Sequence, residues 1–152
     1  TGELEQLCYQ VVARAVESEE IMTKLAIPER FWEYVRASWL NQERNLYGRM
    51  DLSYDGTGPA KLLEYNADTP TALYESSAFQ WLWLGRALER EIIPAGCDQF
   101  NSIHERMIDA FANFGIAGCL HLASCKDSDE DEGTVRYVEE CAVQGGLETA
   151  FL

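Results

Sequence analysis

The sequence has little positive charge: 12 Lys and Arg residues stand against 26 Asp and Glu, a formal net charge of −14 over 152 residues. Nucleic acids and anionic membranes are bound through clustered basic side chains, so this balance argues against both as partners. No apolar run reaches the roughly 20 residues that a membrane-spanning helix needs. Nothing resembles a secretory signal either, and we expect a cytoplasmic protein.

Paired cysteines and clustered histidines are also missing. The five cysteines are widely spaced with no C-x-x-C pair, which disfavours a disulfide framework and lacks the spacing of a zinc site. We expect reduced, mostly buried thiols, with Cys8 and Cys141 on apolar helix faces. His104 and His121 are isolated, and such histidines are more often structural than catalytic. With no G-x-G-x-x-G or G-x-x-x-x-G-K phosphate loop, the sequence offers neither an evident nucleophile nor a nucleotide motif.

The residues that are present predict a folded chain, since 47% are hydrophobic and 11% aromatic. Apolar positions recur at helical spacing in four stretches. Proline and threonine mark two of the helix starts, as first helical residue and N-cap. The predicted helices run from about Gly2 to Ala26, from Pro28 to about Leu40, from Thr69 and Pro70 to about Ile92, and from Phe100 to Phe114.

The last third of the sequence changes character. "IAGCLHLAS" reads as a short buried strand, "CKDSDEDEGT" as an acidic loop, "VRYVEECAVQ" as an amphipathic helix ended by Gly145 and Gly146, and "LETAFL" as another strand. Strand, helix and strand in that order predict a right-handed crossover in a parallel sheet. We therefore predict an α/β class of mixed α and β segments, with N-terminal helices, a β-hairpin and a Rossmann-like βαβ unit. The segments are 1–45, 46–68, 69–116 and 117–152 of one fragment. Both ends fall inside regular patterns, and we expect a piece of a longer chain.

The hairpin "YGRMDLSYDGTGPAKLLEYNADTPT" carries the main candidate residues. Side chains alternate between the two faces of a strand, so Arg49, Asp51 and Ser53 share one face. Glu64, Asn66 and Asp68 share the same face of the return strand, whereas the other face is apolar. One face is expected to join a core, and the other to meet something charged.

The register of this hairpin stays open between three pairings. A tight turn at Asp55 and Gly56 places Asp51 opposite Ala60, and a four-residue loop over 56–59 places it opposite Glu64. An intermediate pairing sets Arg49 opposite Glu64. Proline at position 59 removes a ladder donor and favours the longer loop. All three pairings keep the polar residues on one face.

In the longer-loop register two carboxylates oppose each other, which is repulsive without a partner. With the Asn66 amide oxygen they form an all-oxygen set suited to Mg²⁺ or Mn²⁺. Arg49 beside them could hold a phosphate or an oxyanion. The helix predicted to start at Pro70 would point its free N–H groups toward the same spot. A solvated polar face with one Arg–Glu pair is the alternative from the hairpin alone.

The run "YGRMDLSYDGTGPAKLLEYNADTPTALYE" resembles the glutathionylspermidine synthase-like family of ATP-grasp ligases. The resemblance continues through "QWLWL", "PAGCDQFNSIHERMI" and "DSDEDEGTVRYVEECAVQGGLETAFL", and so covers nearly the whole chain. It implies that the crossover unit belongs to a pre-ATP-grasp domain. It further implies a parent enzyme that uses ATP and Mg²⁺ to activate a carboxylate as an acyl phosphate, which an amine then attacks to form an amide. The expected partners are a small-molecule or peptide carboxylate and an amine such as a polyamine.

The same resemblance assigns roles to residues of this sequence. Asp51, Glu64 and Asn66 match the magnesium ligands, and Arg49 matches the arginine that contacts the transferred phosphate and acyl oxygens. Four further residues match positions that bind substrate. Thr69 and Thr71 fall where glutathione-using members have serines, and Asp129 and Glu130 match a pair of glutamates.

Two departures limit what the chain is expected to do alone. One is that the sequence has no phosphate-cradling loop of its own. It lacks the segments that supply the adenine pocket and the phosphate-binding lysines in ATP-grasp enzymes, so the fragment itself is expected to be inactive. A non-catalytic binding or structural domain that keeps the ligase scaffold is therefore a second hypothesis. A metal-dependent hydrolase using Asp51 and Glu64 is a third, weakened by the absence of a histidine or larger carboxylate cluster.

One aromatic stripe, Phe79, Trp81 and Trp83, is expected to pack in the core. Tryptophans two positions apart cannot share one helical face, so one of them is expected to meet a second surface. That surface is either the remainder of a longer chain or a neighbouring subunit of a homo-oligomer.

Overall fold

The computed structural model describes residues 2–99 and 101–152. Its helices and two small sheets confirm the mixed α/β class and the order of helices, hairpin and βαβ unit. The chain divides into two compact units, Thr1–Asp68 and Thr69–Leu152. The predicted helix start at Phe100 lies outside the described residues. No described helix is both long enough and apolar enough to cross a membrane.

The first unit opens with two helices, where one long helix was predicted. Helix α1 spans Gly2–Glu17 and α2 spans Glu19–Lys24. Ser18 separates them because its backbone is extended and its hydroxyl accepts a hydrogen bond from Ile21 N at 3.3 Å, the geometry of an N-cap. A 3₁₀ turn, Glu29–Phe31, then leads into α3, Trp32–Leu40.

The hairpin of the first unit has the longer-loop register near its open end. Strand β1, Gly48–Ser53, pairs antiparallel with β2, Lys61–Ala67. Asp51 lies opposite Glu64 and Arg49 opposite Asn66, but Leu52 lies opposite Leu62. Leu63 is therefore an extra residue, a bulge that increases the local twist. It is 70% exposed, so the apolar face does not form the continuous core surface expected from strict alternation.

The second unit begins its first helix later than predicted. Thr69 does not cap it: Ala72 has a left-handed φ of 63°, and helical structure starts at Leu73. The segment Glu75–Phe79 is π-helical and continues into α4, Gln80–Glu89. The expected core packing of the aromatic stripe is wrong, since Trp81 and Trp83 are 43% and 61% exposed.

The rest of the second unit is α5, Ile103–Asn113, followed by a βαβ arrangement. Strand β3, Cys119–Leu122, pairs parallel with β4, Glu148–Phe151, and α6, Asp129–Gln144, connects them. The predicted acidic loop is wrong at its second half, because Ser128 caps α6 and the acidic residues form its first turn. The cysteines are less buried than expected: only Cys141 is fully buried among the five.

Candidate functional site

The polar face of the hairpin is held together by an arginine–aspartate pair. Arg49 and Asp51 are two residues apart on β1, so both side chains rise from the same face. Arg49 Nε donates to Asp51 Oδ1 at 2.9 Å, and its Nη2 lies 3.5 Å from Oδ2. The side chains are 31% and 39% exposed, so the pair lies at the surface without being fully solvated. The pKa of Arg49 is raised, chiefly by the hydrogen bond to Asp51.

Asn66 links this pair to the carboxylate of the opposite strand. With its amide oriented to satisfy both ends, the nitrogen donates to Glu64 Oε1 at 3.0 Å and the oxygen accepts from Arg49 Nη2 at 3.2 Å. The four side chains therefore form one chain of contacts, Asp51–Arg49–Asn66–Glu64. It relieves the repulsion of two opposed carboxylates without any other cation.

The residue types on this face suit a hard cation, but their atoms are engaged with one another. Two carboxylates and one amide oxygen are ligands that Mg²⁺ accepts together with water or phosphate oxygens. Within residues 2–99 and 101–152, no three Asp, Glu, His or Cys side chains form a metal cluster. A cation held here would have two carboxylates and one amide oxygen from the hairpin, so water or phosphate oxygens would complete its ligands, and it would have to displace Arg49 from Asp51.

The loop that closes the hairpin is ordered by Asp55. Its Oδ1 accepts from Thr57 N at 2.9 Å, Gly58 N at 3.0 Å and Thr57 Oγ1 at 3.1 Å. The backbone hydrogen bond from Gly58, followed by that from Thr57, lowers the pKa of Asp55. Gly56, at φ +88°, takes the left-handed turn that glycine adopts without strain. Asp55 is therefore accounted for as a loop residue, not a metal ligand.

A separate pocket of about 400 Å³ lies within the second unit. Three stretches of chain form its walls: residues 69–71, residues 123–125 directly after β3, and the first two turns of α6. The start of a helix and the carboxyl end of a parallel strand thus meet at this pocket. This is the place where open α/β structures bind ligands.

Three of the four predicted substrate-binding residues line this pocket. Thr69, Thr71 and Glu130 are in its wall, whereas Asp129 is not among its lining residues and Asp131 is. The prediction of an acidic loop missed that Glu130 and Asp131 lie on a helix that lines the pocket. Ser128 followed three positions later by Asp131 has the spacing of a helix N-cap signal, and it could have shown that the acidic run is helical.

Thr134 was missed altogether by sequence reasoning. It lies four residues after Glu130 on α6, so the two side chains share one helix face. Thr134 is only 7% exposed and lines the pocket. Its hydroxyl has no hydrogen bond to another described residue. The hydroxyl is not among the buried side-chain atoms left without a partner, so at this place in the wall it can donate to or accept from a polar group of a bound ligand.

A larger groove of about 670 Å³ lies in the first unit, between α1 and α3. Its lining residues, among them Val12, Val35 and Trp39, are mainly apolar, and none belongs to the polar face of the hairpin. Size therefore does not identify the candidate site here, and the groups able to do chemistry lie elsewhere.

The comparisons with known proteins agree on one family. A sequence profile described as "Glutathionylspermidine synthase preATP-grasp" matches residues 1–152. A protein of Haemophilus influenzae that is named as an acid–amine ligase is 36% identical over 152 residues, covering 96% of this chain and 37% of that protein. The trypanothione synthetase of Crithidia fasciculata is 28% identical over 146 residues, covering 91% of this chain and 21% of that protein. The chain thus spans well under half the length of either relative.

Proposed function

Because the chain belongs to the glutathionylspermidine synthase pre-ATP-grasp family, we propose that it is part of an ATP- and Mg²⁺-dependent carboxylate–amine ligase. The whole protein would join an acid to an amine through an acyl phosphate. The activity is assigned to the whole protein because the chain spans 37% of the length of the H. influenzae relative. The observation that carries the proposal is the single polar face that Arg49, Asp51, Glu64 and Asn66 share across two paired strands.

Asp51, Glu64 and Asn66 are the proposed magnesium ligands. Cross-strand pairing places the two carboxylates opposite each other, and Asn66 projects beside Glu64 on the same face. When bound, Mg²⁺ would neutralise phosphate charge and the two opposed carboxylates together. The Asn66 amide would turn its oxygen toward the cation, giving up its contact with Arg49.

Arg49 is the proposed catalytic residue and phosphate contact. Its guanidinium presents several N–H groups in a planar fork, which suits phosphate and acyl oxygens. Released from Asp51, it would stabilise the negative charge that grows on those oxygens as phosphate transfers. Positioning and electrostatics then carry the step, so the protein needs no nucleophilic side chain. The buried Cys141, whose pKa is raised by burial, would be a poor one.

The pocket of the second unit is the proposed substrate-binding site. Thr69 and Thr71 offer hydroxyls to a peptide backbone or carboxylate, and Glu130 and Asp131 offer negative charge to an ammonium group. A pocket of about 400 Å³ holds part of such a substrate. Asp129, at the first position of α6, would contribute charge at longer range through the same helix turn.

Substrate dependence of nucleotide consumption tests this function. The full-length protein that contains this chain should hydrolyse ATP with Mg²⁺ only when both a carboxylate, such as a glutathione-like peptide, and an amine, such as spermidine, are present. One ADP and one phosphate should appear for each amide formed. ATP consumption without amide formation, or hydrolysis of an amide without nucleotide, would reject the ligase.

A non-catalytic binding domain is the second candidate, and the internal pairing of the polar face favours it. The contacts Asp51–Arg49–Asn66–Glu64 already balance the face without a bound ion. In that case the substrate pocket would bind its ligand with unchanged affinity whether or not Mg²⁺ and ATP are present. A ligase predicts instead that nucleotide binding requires the hairpin residues.

A further inference from the structure

Thr69 and Thr71 form one side of the pocket, called here the threonine wall. The helix that follows in the chain does not fix the position of this wall. Thr71 is followed by Ala72 in a left-handed conformation, φ 63°, which costs free energy for a residue other than glycine. Only then does the helix begin, with Leu73 N donating to Pro70 O at 3.0 Å. A strained residue at this point persists only if contacts from elsewhere hold it.

One set of such contacts comes from a buried cluster that follows Ala72 in the chain. Leu73 and Ser77 are 0% exposed, and Ser77 Oγ donates to Leu73 O at 2.7 Å. Between them, Tyr74 stacks on Tyr137 of α6, with ring centres 5.2 Å apart and planes 25° apart. The π-helical segment that follows, Glu75–Phe79, is a form often found at functional sites. The Tyr74–Tyr137 pair thus links the segment that follows the threonine wall to α6.

Tyr137 lies on α6, the helix whose first two turns carry the acidic wall of the pocket (Glu130 and Asp131), but it does not itself line the pocket. It lies three residues after Thr134 on α6, so the two side chains share a face. Its side chain is buried, and its hydroxyl lies 3.1 Å from His104 Nδ1 on α5. Burial raises the pKa of Tyr137 to about 12, so the phenol stays protonated near neutral pH and can donate. The Cys141 thiol lies 3.7 Å from the same nitrogen.

We propose that Tyr137 is a positioning residue for the substrate pocket: stacked on Tyr74 and anchored to His104, it fixes the threonine wall against the acidic wall. The ring of Tyr137 stacks on Tyr74, and the hydroxyl fixes the position of the ring through its contact with His104. Phenylalanine could keep the stacking but would lose the contact with His104. The inference rests on the proposed function of this pocket as a substrate-binding site.

Alkylation of Cys125 reports the geometry of this pocket. The thiol is exposed and lines the pocket wall. The full-length protein would be treated with iodoacetamide in the presence of increasing spermidine, and modification of the Cys125 peptide would be followed by mass spectrometry. We expect spermidine to protect Cys125 in the wild type. Tyr137→Phe should need about 3- to 10-fold more spermidine for half protection, as expected for loss of one neutral hydrogen bond.

Matched variants separate positioning from stability. Phe111→Leu loosens a buried contact of α5 and should lower the thermal midpoint without changing the protection curve. Because asparagine retains an acceptor near the position of Nδ1, His104→Asn should keep more protection than His104→Ala.

The possible outcomes separate failure of the positioning role of Tyr137 from failure of the proposed substrate site. No protection of the wild type by spermidine would overturn the proposed substrate site and the inference with it. Protection that is equal in the wild type and Tyr137→Phe would overturn the inference alone. A shift that Phe111→Leu reproduces would also overturn it, because it would mark Tyr137 as merely stabilising.

Discussion

The hairpin face and the second-unit pocket handle polar groups in opposite ways. On the hairpin, Arg49 satisfies Asp51 at 2.9 Å, and Asn66 satisfies Glu64 at 3.0 Å. In the pocket, the Thr134 side chain makes no hydrogen bond to another described residue, and its hydroxyl is not among the buried atoms left without a partner. The polar groups of the first arrangement are paired with one another before any ligand arrives, whereas the Thr134 hydroxyl of the second can still offer a hydrogen bond to a ligand.

This difference sets how each site should bind. A ligand of the hairpin must break existing contacts, so it must bring opposite charges at once, a cation for the carboxylates and an anion for Arg49. A magnesium–nucleotide complex does this, whereas either ion alone does not. A ligand of the pocket can replace water at the wall and accept or donate a hydrogen bond at the Thr134 hydroxyl. The pocket should therefore bind its substrate in the absence of nucleotide.

The largest effect is expected from removing charge on the hairpin. Asp51→Asn and Glu64→Gln should each lower kcat of the proposed ligase reaction of the full-length protein by about 100-fold or more, because electrostatic stabilisation of transferred phosphate is lost. The matched control is Glu89→Gln, which removes an exposed carboxylate on α4, outside the hairpin. Cooperative urea unfolding should be retained in all three. Loss of the folded state in both hairpin variants would assign the carboxylates a structural role.

Arg49 tests whether geometry or charge matters on the same face. Arg49→Lys should fail nearly as badly as Arg49→Ala, since a point charge cannot replace a planar fork that contacts two oxygens. Steady-state rates at saturating ATP would measure this. Full activity in the lysine variant would refute the proposed role.

Thr134 tests the opposite arrangement in the pocket. Thr134→Val removes a pocket hydroxyl that makes no hydrogen bond to another described residue, so the free energy of unfolding should change by less than about 0.5 kcal/mol. KM for the substrate that binds the pocket should rise by about 5-fold, with kcat unchanged. A destabilised variant with unchanged KM would show that the hydroxyl serves the fold instead.

Alkaline pH tests how the buried cluster around Tyr137 contributes to stability. The folded-state pKa of Tyr137 is raised to about 12 from an ordinary value of 10.0. Its stabilising contribution is therefore complete below pH 10 and is lost as pH rises toward 12. Urea unfolding at pH 9 and pH 11 should show a smaller loss of stability in Tyr137→Phe than in the wild type. An identical loss of stability would show that groups other than Tyr137 cause the pH dependence.

The smallest effect is expected at the hairpin loop. The pKa of Asp55 is lowered, so its contribution to stability is present above its ordinary value of 3.8 and is lost as pH falls below it. Asp55→Asn should narrow the difference in thermal midpoint between pH 7 and pH 3. If the wild type and variant respond alike to acid, the loop hydrogen bonds do not contribute to stability.

Strand periodicity made the hairpin predictable. A period of two assigns Arg49, Asp51, Glu64 and Asn66 to one face in every register considered, and proline at position 59 favoured the register observed at Asp51. The bulge at Leu63 could not be foreseen, because it depends on how the loop closes and not on the alternation. The internal pairing of the four side chains likewise follows from rotamers that no pattern specifies.

The pocket was only partly predictable, because its walls come from three distant stretches. Thr69, Thr71 and Glu130 were found through family resemblance, not through a local pattern. The spacing of Ser128 and Asp131 indicates a helix N-cap, but the run of consecutive acidic residues favoured the prediction of a loop. Ala72 carries no signal for a left-handed conformation, which tertiary packing imposes.

Binding of Mn²⁺ with a nonhydrolysable ATP analogue tests the central claim most directly. Calorimetric titration of the full-length protein should show nucleotide-dependent Mn²⁺ binding that weakens by at least about 10-fold in Glu64→Gln, as expected when one charged ligand of a hard cation is removed. Glu89→Gln should bind as the wild type does. Equal affinity of the wild type and Glu64→Gln would contradict the assignment of the hairpin face as the metal and phosphate site.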